Sequence, residues 1–170
     1  MDGISGETIL GTLAAGGNIN YSFLEMFQGS IPGSIAETST LWVALGGLIL
    51  ILTGVGSWRI MLGSVFGAAL VGLLFNMWGA NALMSFSWVN HLVVGGFAFG
   101  VVFMATDPVT AASTNGGKIA YGFLIGFIGM IVRVLNPAYP EGWMLAIIFM
   151  NTFAPLLDRL VLSNTPTGEF

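Results

Sequence analysis

A short polar motif at the start of the chain ends in a threonine, a residue whose hydroxyl can carry a covalent group. The motif reads Asp2-Gly3-Ile4-Ser5-Gly6-Glu7-Thr8 and precedes a long apolar body. Gly6 leaves the hydroxyl of Thr8 sterically open, so we expect another enzyme to be able to modify it. The alternative is a polar turn in which Ser5 and Thr8 cap the first apolar segment.

Two carboxylates lie at the ends of apolar runs, where ionisable groups are costly and often functional. Asp107 precedes Pro108, and proline disfavours helical geometry in the residue before it, so a helix is predicted to end or break there. A broken helix with free carbonyls and a carboxylate can coordinate a small cation; a cap of the next turn is the alternative. Asp158 is predicted at the same membrane face, where it pairs with Arg159, lies in the interface or joins Asp107 in collecting a hard cation.

The aromatic residues and the single histidine limit the kinds of functional site that the chain can form. Phe99 and Phe103, four residues apart, share one helical face and form either a core stripe or a hydrophobic constriction of a pore. His91 is the only histidine, and cysteine is absent, which excludes histidine pairs, disulfides and iron–sulfur clusters. We expect His91 at the membrane interface. Neither a dinucleotide fingerprint nor a Walker loop is present, so NADH and ATP are not expected to bind this chain.

The amino-acid composition indicates whether the protein is surrounded by water or by lipid. Hydrophobic residues make up 55% of the chain and charged residues 7%, whereas soluble domains carry roughly 25% charged residues. So few charges cannot coat a water-soluble surface, and we predict an all-α integral membrane protein. Only 4 residues are Lys or Arg, which leaves no basic patch for nucleic acid.

Five apolar segments are long enough to cross a bilayer, which takes about 20 residues, and backbone groups in lipid favour helices. These segments run about Ile35–Thr53, Ile60–Trp78, Val89–Thr106, Ile119–Leu135 and Gly142–Leu162. We therefore predict an extracytoplasmic lead-in over residues 1–34, in which one short helix can form, a five-helix membrane domain over 35–163 and a cytoplasmic tail over 164–170.

The few basic residues predict an orientation, because cytoplasmic loops carry an excess of Lys and Arg. Three of them fall on one side of the predicted membrane domain, which is therefore the cytoplasmic side: Arg59, Lys118 and Arg159. Arg133 falls on the other side, which places Thr8 outside. Gly63 and Gly67 fit the small-x-x-x-small pattern of close helix packing; room for a cofactor or an ion path is the alternative.

Several longer runs closely resemble the family formed by the B subunit of the sodium-translocating NADH:quinone oxidoreductases. The resemblance covers nearly the whole chain in consistent order, and it is carried by Gly29–Ser34, Ser57–Ile60, Gly95–Val109, Arg133–Gly142, Met144–Phe149 and Phe153–Asp158. The D subunit of the Rnf electron-transport complex shares much of this pattern and is an alternative. A non-redox channel or transport subunit, and a structural scaffold, also remain as hypotheses.

The resemblance implies a flavoprotein of the bacterial inner membrane. Thr8 would hold FMN through a phosphoester on the outer face, within the motif that includes Asp2, Ser5 and Gly6, and a separate flavin transferase would attach it from FAD. Riboflavin would be a further cofactor. Electrons would pass to quinone while the complex, with its other subunits, expels sodium. Residues of the family's sodium path and aromatic constriction would correspond to Asp107, Asp158, Phe99 and Phe103.

The chain departs from the family pattern in two ways. Glu7 occupies the position where the family motif has alanine, and a carboxylate there repels a phosphorylated flavin. Family subunits are also about twice as long, with ten spans in two related halves, and this chain matches the second half. We therefore expect riboflavin and quinone sites between the halves to be incomplete in this chain.

Overall fold

The computed structural model describes residues 8–34, 36–136, 138 and 141–163. Within these residues the regular structure is helical and no strand occurs, which confirms the predicted all-α class. In chain order the helices are α1 (Ile9–Ala14), α2 (Phe23–Gln28), α3 (Thr40–Leu52), α4 (Trp58–Trp78), α5 (Ala82–Ser85), α6 (Trp88–Val93), α7 (Phe97–Phe99), the π-helical segment Gly100–Met104, α8 (Asn115–Leu135) and α9 (Trp143–Ser163).

Three helices are long and apolar enough to cross a membrane. Helices α4, α8 and α9 have 21 residues each, and at about 1.5 Å per residue each extends roughly 30 Å, the thickness of the hydrocarbon core. They correspond to the second, fourth and fifth predicted spans. The chain is therefore a membrane protein built around these three helices.

The first and third predicted spans differ from expectation. The first is helical only over the 13 residues of α3, and the preceding Ala36 has a left-handed φ of 76°, which no helix can include. The third is divided into α6, α7 and the π-helical segment. Its first break falls at Gly95, whose φ is 71°, and its second falls before Pro108, as the sequence predicted.

Helices α4 and α8 run parallel and approach through glycines on both sides. A Cβ on Gly63 would lie 2.7 Å from the Ile119 carbonyl oxygen, and a Cβ on Gly126 would collide with the Ser64 carbonyl oxygen. Gly67 similarly meets the backbone of Phe123. The close-packing interpretation of the Gly63 and Gly67 pattern is confirmed, since any side chain there would separate the helices.

The lead-in contains two short helices rather than one, and it packs into the protein. Leu10 of α1 is fully buried and Met26 of α2 is 2% exposed; both pack in a core that includes Val93 and Trp143. Ser22 and Glu25 form a capping box at the start of α2: the Ser22 backbone N–H donates to Glu25 Oε2 at 2.7 Å. The lead-in therefore forms one end of the helical bundle.

Candidate functional site

Thr8 is the N-cap residue of α1, and it lines an open cleft. Thr8 Oγ1 accepts a hydrogen bond from the Gly11 backbone N–H at 3.2 Å, and the residue is exposed. The capping interpretation therefore holds for Thr8; Asp2, Ser5 and Gly6 lie outside the described residues. The open cleft measures about 380 Å³, and Thr8 shares its lining with Glu37, Gly96, Glu141 and Trp143 among others.

Gly96 lines this cleft at the Gly95–Gly96 break in the third predicted span. A Cβ on Gly95 would lie 2.8 Å from Glu141 Oε2 and 2.9 Å from Arg133 Nη2. Its positive φ also favours glycine. Glycine at this position therefore lets the backbone turn while two charged side chains approach it.

Arg133 stabilises this break from within the protein. Its guanidinium is fully buried, and Nη1 donates to the carbonyls of His91 at 2.7 Å and Val94 at 3.0 Å. Nη2 lies 4.0 Å from Glu141 Oε2, and the guanidinium carbon lies 5.1 Å from the centre of the Trp143 ring. The charge thus satisfies carbonyls that a continuous helix would have bonded, a role that the sequence analysis missed.

Two carboxylates lie beside the same break. The Gly96 backbone N–H donates to Glu141 Oε2 at 3.2 Å, and a Cβ on Gly96 would lie 3.4 Å from Glu37 Oε2. Burial, and secondly the negative charge of Glu141, raise the pKa of Glu37 above its ordinary value. The sequence analysis assigned neither residue a role, because the convergence of residues so far apart along the chain leaves no local signal in the sequence.

At the opposite end of the bundle, Asp107 caps a turn. Its Oδ2 accepts hydrogen bonds from the Thr110 backbone N–H at 3.2 Å and from Thr110 Oγ1 at 2.8 Å. The turn follows the π-helical segment, at the predicted second break. The capping alternative for Asp107 is therefore observed, and cation binding there stays a prediction.

Asp158, on α9, binds Ser113 and Thr114, which lie at the end of the loop that begins near Asp107. Its Oδ2 accepts from the Ser113 N–H at 2.7 Å, and its Oδ1 accepts from the backbone N–H of Thr114 at 2.9 Å and from its hydroxyl at 2.6 Å. These partners, rather than Arg159, engage the carboxylate. Among the described residues, no three His, Asp or Glu side chains converge in a way that would hold a metal ion.

The two predicted phenylalanines are in contact. The ring centroids of Phe99 and Phe103 lie 5.2 Å apart, as expected for one helical face, and Phe103 packs against Gly46 of α3. They straddle the start of the π-helical segment, a geometry often found at functional sites. This contact fits a packing role, and the constriction of a path by the pair stays a prediction.

The contacts between helix ends agree with the predicted grouping of the basic residues at the two ends of the membrane domain. The start of α4 meets the start of α8, where Ile60 packs against Gly122, and Asp158 near the end of α9 meets Gly117. Arg59, Lys118 and Arg159, adjacent to these positions, therefore lie at one end of the bundle. Thr8 and Arg133 lie at the other end, with Glu37 and Glu141.

The fold and these two ends define the class of protein: an α-helical membrane subunit with a broken helix between an acidic cleft and a carboxylate-bearing loop. The chain belongs to the NQR2, RnfD, RnfE family, whose model matches residues 1–166.

Curated relatives are similar over almost the whole chain. The B subunit of the Na(+)-translocating NADH-quinone reductase of Chromohalobacter salexigens is 51% identical over 164 residues, which cover 93% of this chain and 40% of that protein. The B subunits of the same reductase from Ectopseudomonas mendocina (49% identical) and from a Klebsiella pneumoniae strain (50% identical) each match 95% of this chain and 42% of their own length. The chain thus spans about two fifths of the length of these relatives.

Proposed function

We propose that this chain is part of a membrane flavoprotein subunit of a sodium-translocating NADH-quinone reductase. In this proposal Thr8 carries FMN covalently, the flavin relays electrons toward quinone, and the complex couples that transfer to sodium movement. The single observation that supports the flavin most is the exposed Thr8 hydroxyl at the cleft beside the Gly95–Gly96 break. The names of the relatives favour this subunit over the Rnf alternative.

The lining of the cleft fits the ring system of a flavin. A cofactor site usually measures roughly 300–1,000 Å³, and this cleft measures about 380 Å³. The buried Trp143 has an indole N–H without a hydrogen-bond partner among the described residues, and Glu37 and Glu141 supply acceptors. The carboxylates do not fit a phosphate, so the phosphoester belongs at Thr8, at the exposed side of the cleft.

The residues of the chain have separate roles in this proposal. Thr8 supplies the oxygen that attaches the group; a separate transferase splits FAD, joins the FMN phosphorus to Thr8 Oγ1 and releases AMP. When bound, the flavin supplies the electron-transfer chemistry. Trp143 and the Gly95–Gly96 turn shape the cleft, and Arg133 holds that turn.

At the other end, Asp107 and Asp158 serve the uptake of sodium, with Phe99 and Phe103 as the aromatic constriction of its path. Sodium is a hard cation that prefers oxygen ligands, and the carboxylate and carbonyl oxygens that follow the π-helical segment supply them. Riboflavin and quinone are assigned to surfaces shared with the remainder of the subunit. The outer face carries Thr8, and the end with Arg59, Lys118 and Arg159 faces the cytoplasm of a bacterium.

Flavin fluorescence of this chain after denaturing electrophoresis tests the proposal. The chain is taken from the assembled complex, expressed with its flavin transferase. We expect fluorescence in the wild type and its loss in Thr8→Val. The matched control is Thr12→Val, one turn further along α1, whose hydroxyl donates to the Thr8 carbonyl. Equal fluorescence in Thr8→Val, or none in the wild type, would refute covalent attachment at Thr8.

A further inference from the structure

The segment between the π-helical segment and α8 is held by one carboxylate on a distant helix. This segment, residues 105–114, is termed the mouth segment; it begins with the buried Ala105 and carries the buried Thr106 and Ala112. Asp107 caps its first turn, and Asp158 of α9 binds its last two residues. The sequence separation of 44 to 45 residues makes this a tertiary attachment.

The hydrogen bonds leave Asp158 little capacity for a ligand. A carboxylate offers about four lone-pair positions, and three donors from Ser113 and Thr114 occupy Asp158. The first turn of α8 also lies close against the carboxylate, since a Cβ on Gly117 would collide with Asp158 Oδ1. A cation could bind Asp158 fully only if the mouth segment were released.

Asp107 is bound differently. Both of its hydrogen bonds come from Thr110, three residues away, and both end on Oδ2. They hold the side chain within its own turn, and the position of that turn depends on what anchors the mouth segment. Asp158 provides that anchor at the far end of the segment.

We infer that Asp158 is a positioning residue: it fixes the mouth segment against α8 and α9, and thereby places Asp107 for the cation. The attachment itself follows from contacts in this chain. Its consequence for sodium rests on the proposed function above, so the two parts need separate measurements.

A thiol reporter measures the attachment directly. The chain has no cysteine, and Ala112 is 2% exposed, so Ala112→Cys introduces one thiol on this chain that reacts only when the mouth segment opens. In the assembled complex, we expect Asp158→Asn to raise the rate of maleimide labelling of this chain about tenfold or more. A tenfold change corresponds to about 1.4 kcal/mol, roughly one hydrogen bond to a charged group. An unchanged labelling rate would overturn the inference.

A second variant separates positioning from direct ligation. Thr114→Val removes the hydroxyl bond to Asp158 and the cap that the same hydroxyl provides to the Gly117 backbone N–H, but it leaves the Asp158 carboxylate intact. If Asp158 positions the segment, Thr114→Val and Asp158→Asn both raise the sodium KM, with a smaller effect on kcat, and their combined effect is less than the product of the two. The control is Thr152→Val, whose hydroxyl bonds only the Phe149 carbonyl of its own helix.

The outcomes are distinct. A higher sodium KM in Asp158→Asn with unchanged labelling, and none in Thr114→Val, would overturn positioning in favour of direct ligation. A wild-type complex without any sodium dependence would overturn the proposed function and the consequence for sodium. The labelling rates of the two variants would still decide whether Asp158 holds the mouth segment.

Discussion

Replacing the buried Arg133 by methionine should strongly destabilise the protein. Arg133→Met replaces the guanidinium by an apolar side chain of similar length. It leaves the His91 and Val94 carbonyls without their donor, and Glu141 without its cation. Each of the two buried carbonyls left without a donor costs about 1–3 kcal/mol. Glu141 adds little, because 35% of its side chain is exposed to solvent. We therefore expect the free energy of unfolding to fall by about 2–6 kcal/mol.

The measurement is equilibrium unfolding of the chain in mixed micelles, followed by circular dichroism. Arg59→Met is the matched control. Arg59 also lies over an indole, with its guanidinium carbon 4.9 Å from the centre of the Trp58 ring, but only half-buried. A cation–π contact of this kind, here with the exposed Trp58, contributes about 0.5–1 kcal/mol. If Arg133→Met costs no more than Arg59→Met, the assignment of Arg133 as the stabiliser of the Gly95–Gly96 break is wrong.

Two further predictions concern helix packing and pH. Gly126→Ala places a methyl group against the Ser64 carbonyl and should cost about 1–3 kcal/mol through overpacking. Gly116→Ala places its methyl group nearest to the Val161 side chain, 3.2 Å from Cγ1. It should cost clearly less in the same unfolding assay, and equal costs would contradict the close approach. Because the folded pKa of Glu37 is raised above its usual 4.5, its protonated form favours folding. The contribution is complete below pH 4.5 and lost as pH rises through the folded pKa. Melting temperatures from about pH 4 to 7 should show this loss, and Glu37→Gln should flatten it; an identical profile in the variant would refute the assignment.

Local patterns in the sequence predicted the parts of the fold that depend on local composition. The three long helices follow from uninterrupted apolar runs, and the close packing of α4 against a neighbouring helix follows from the spacing of Gly63 and Gly67. The break near Asp107 followed from Pro108, which acts on its neighbour. In each case the cause lies within a few residues of its effect.

Features that depend on distant residues were missed or wrongly predicted. The break at Gly95 was not predicted, because its turn is stabilised by Arg133, 38 positions further along the sequence. The sequence did not reveal that His91 is 1% exposed, with Nε2 2.9 Å from the Leu83 carbonyl of α5; its place at the membrane interface stays a prediction. The partners of Asp158 were likewise beyond local reasoning.

The Thr8 cleft combines both kinds of feature. The residue type and the motif around it were recognisable in the sequence, and the resemblance supplied the flavin. The sequence did not reveal that Glu37, Glu141 and Trp143, all distant from Thr8 along the chain, share one cleft with it. Their convergence supports the proposal that Thr8 has a role beyond capping α1.

Peptide mass spectrometry of this chain from the assembled complex tests the central claim most directly. We predict that the peptide with Thr8 carries the mass of one FMN less one water, and that fragmentation places it on Thr8. Glu7→Ala should raise the modified fraction, because it removes a carboxylate beside the phosphoester. A wild-type peptide that is unmodified while the transferase is active, or modified at another residue, would contradict the account.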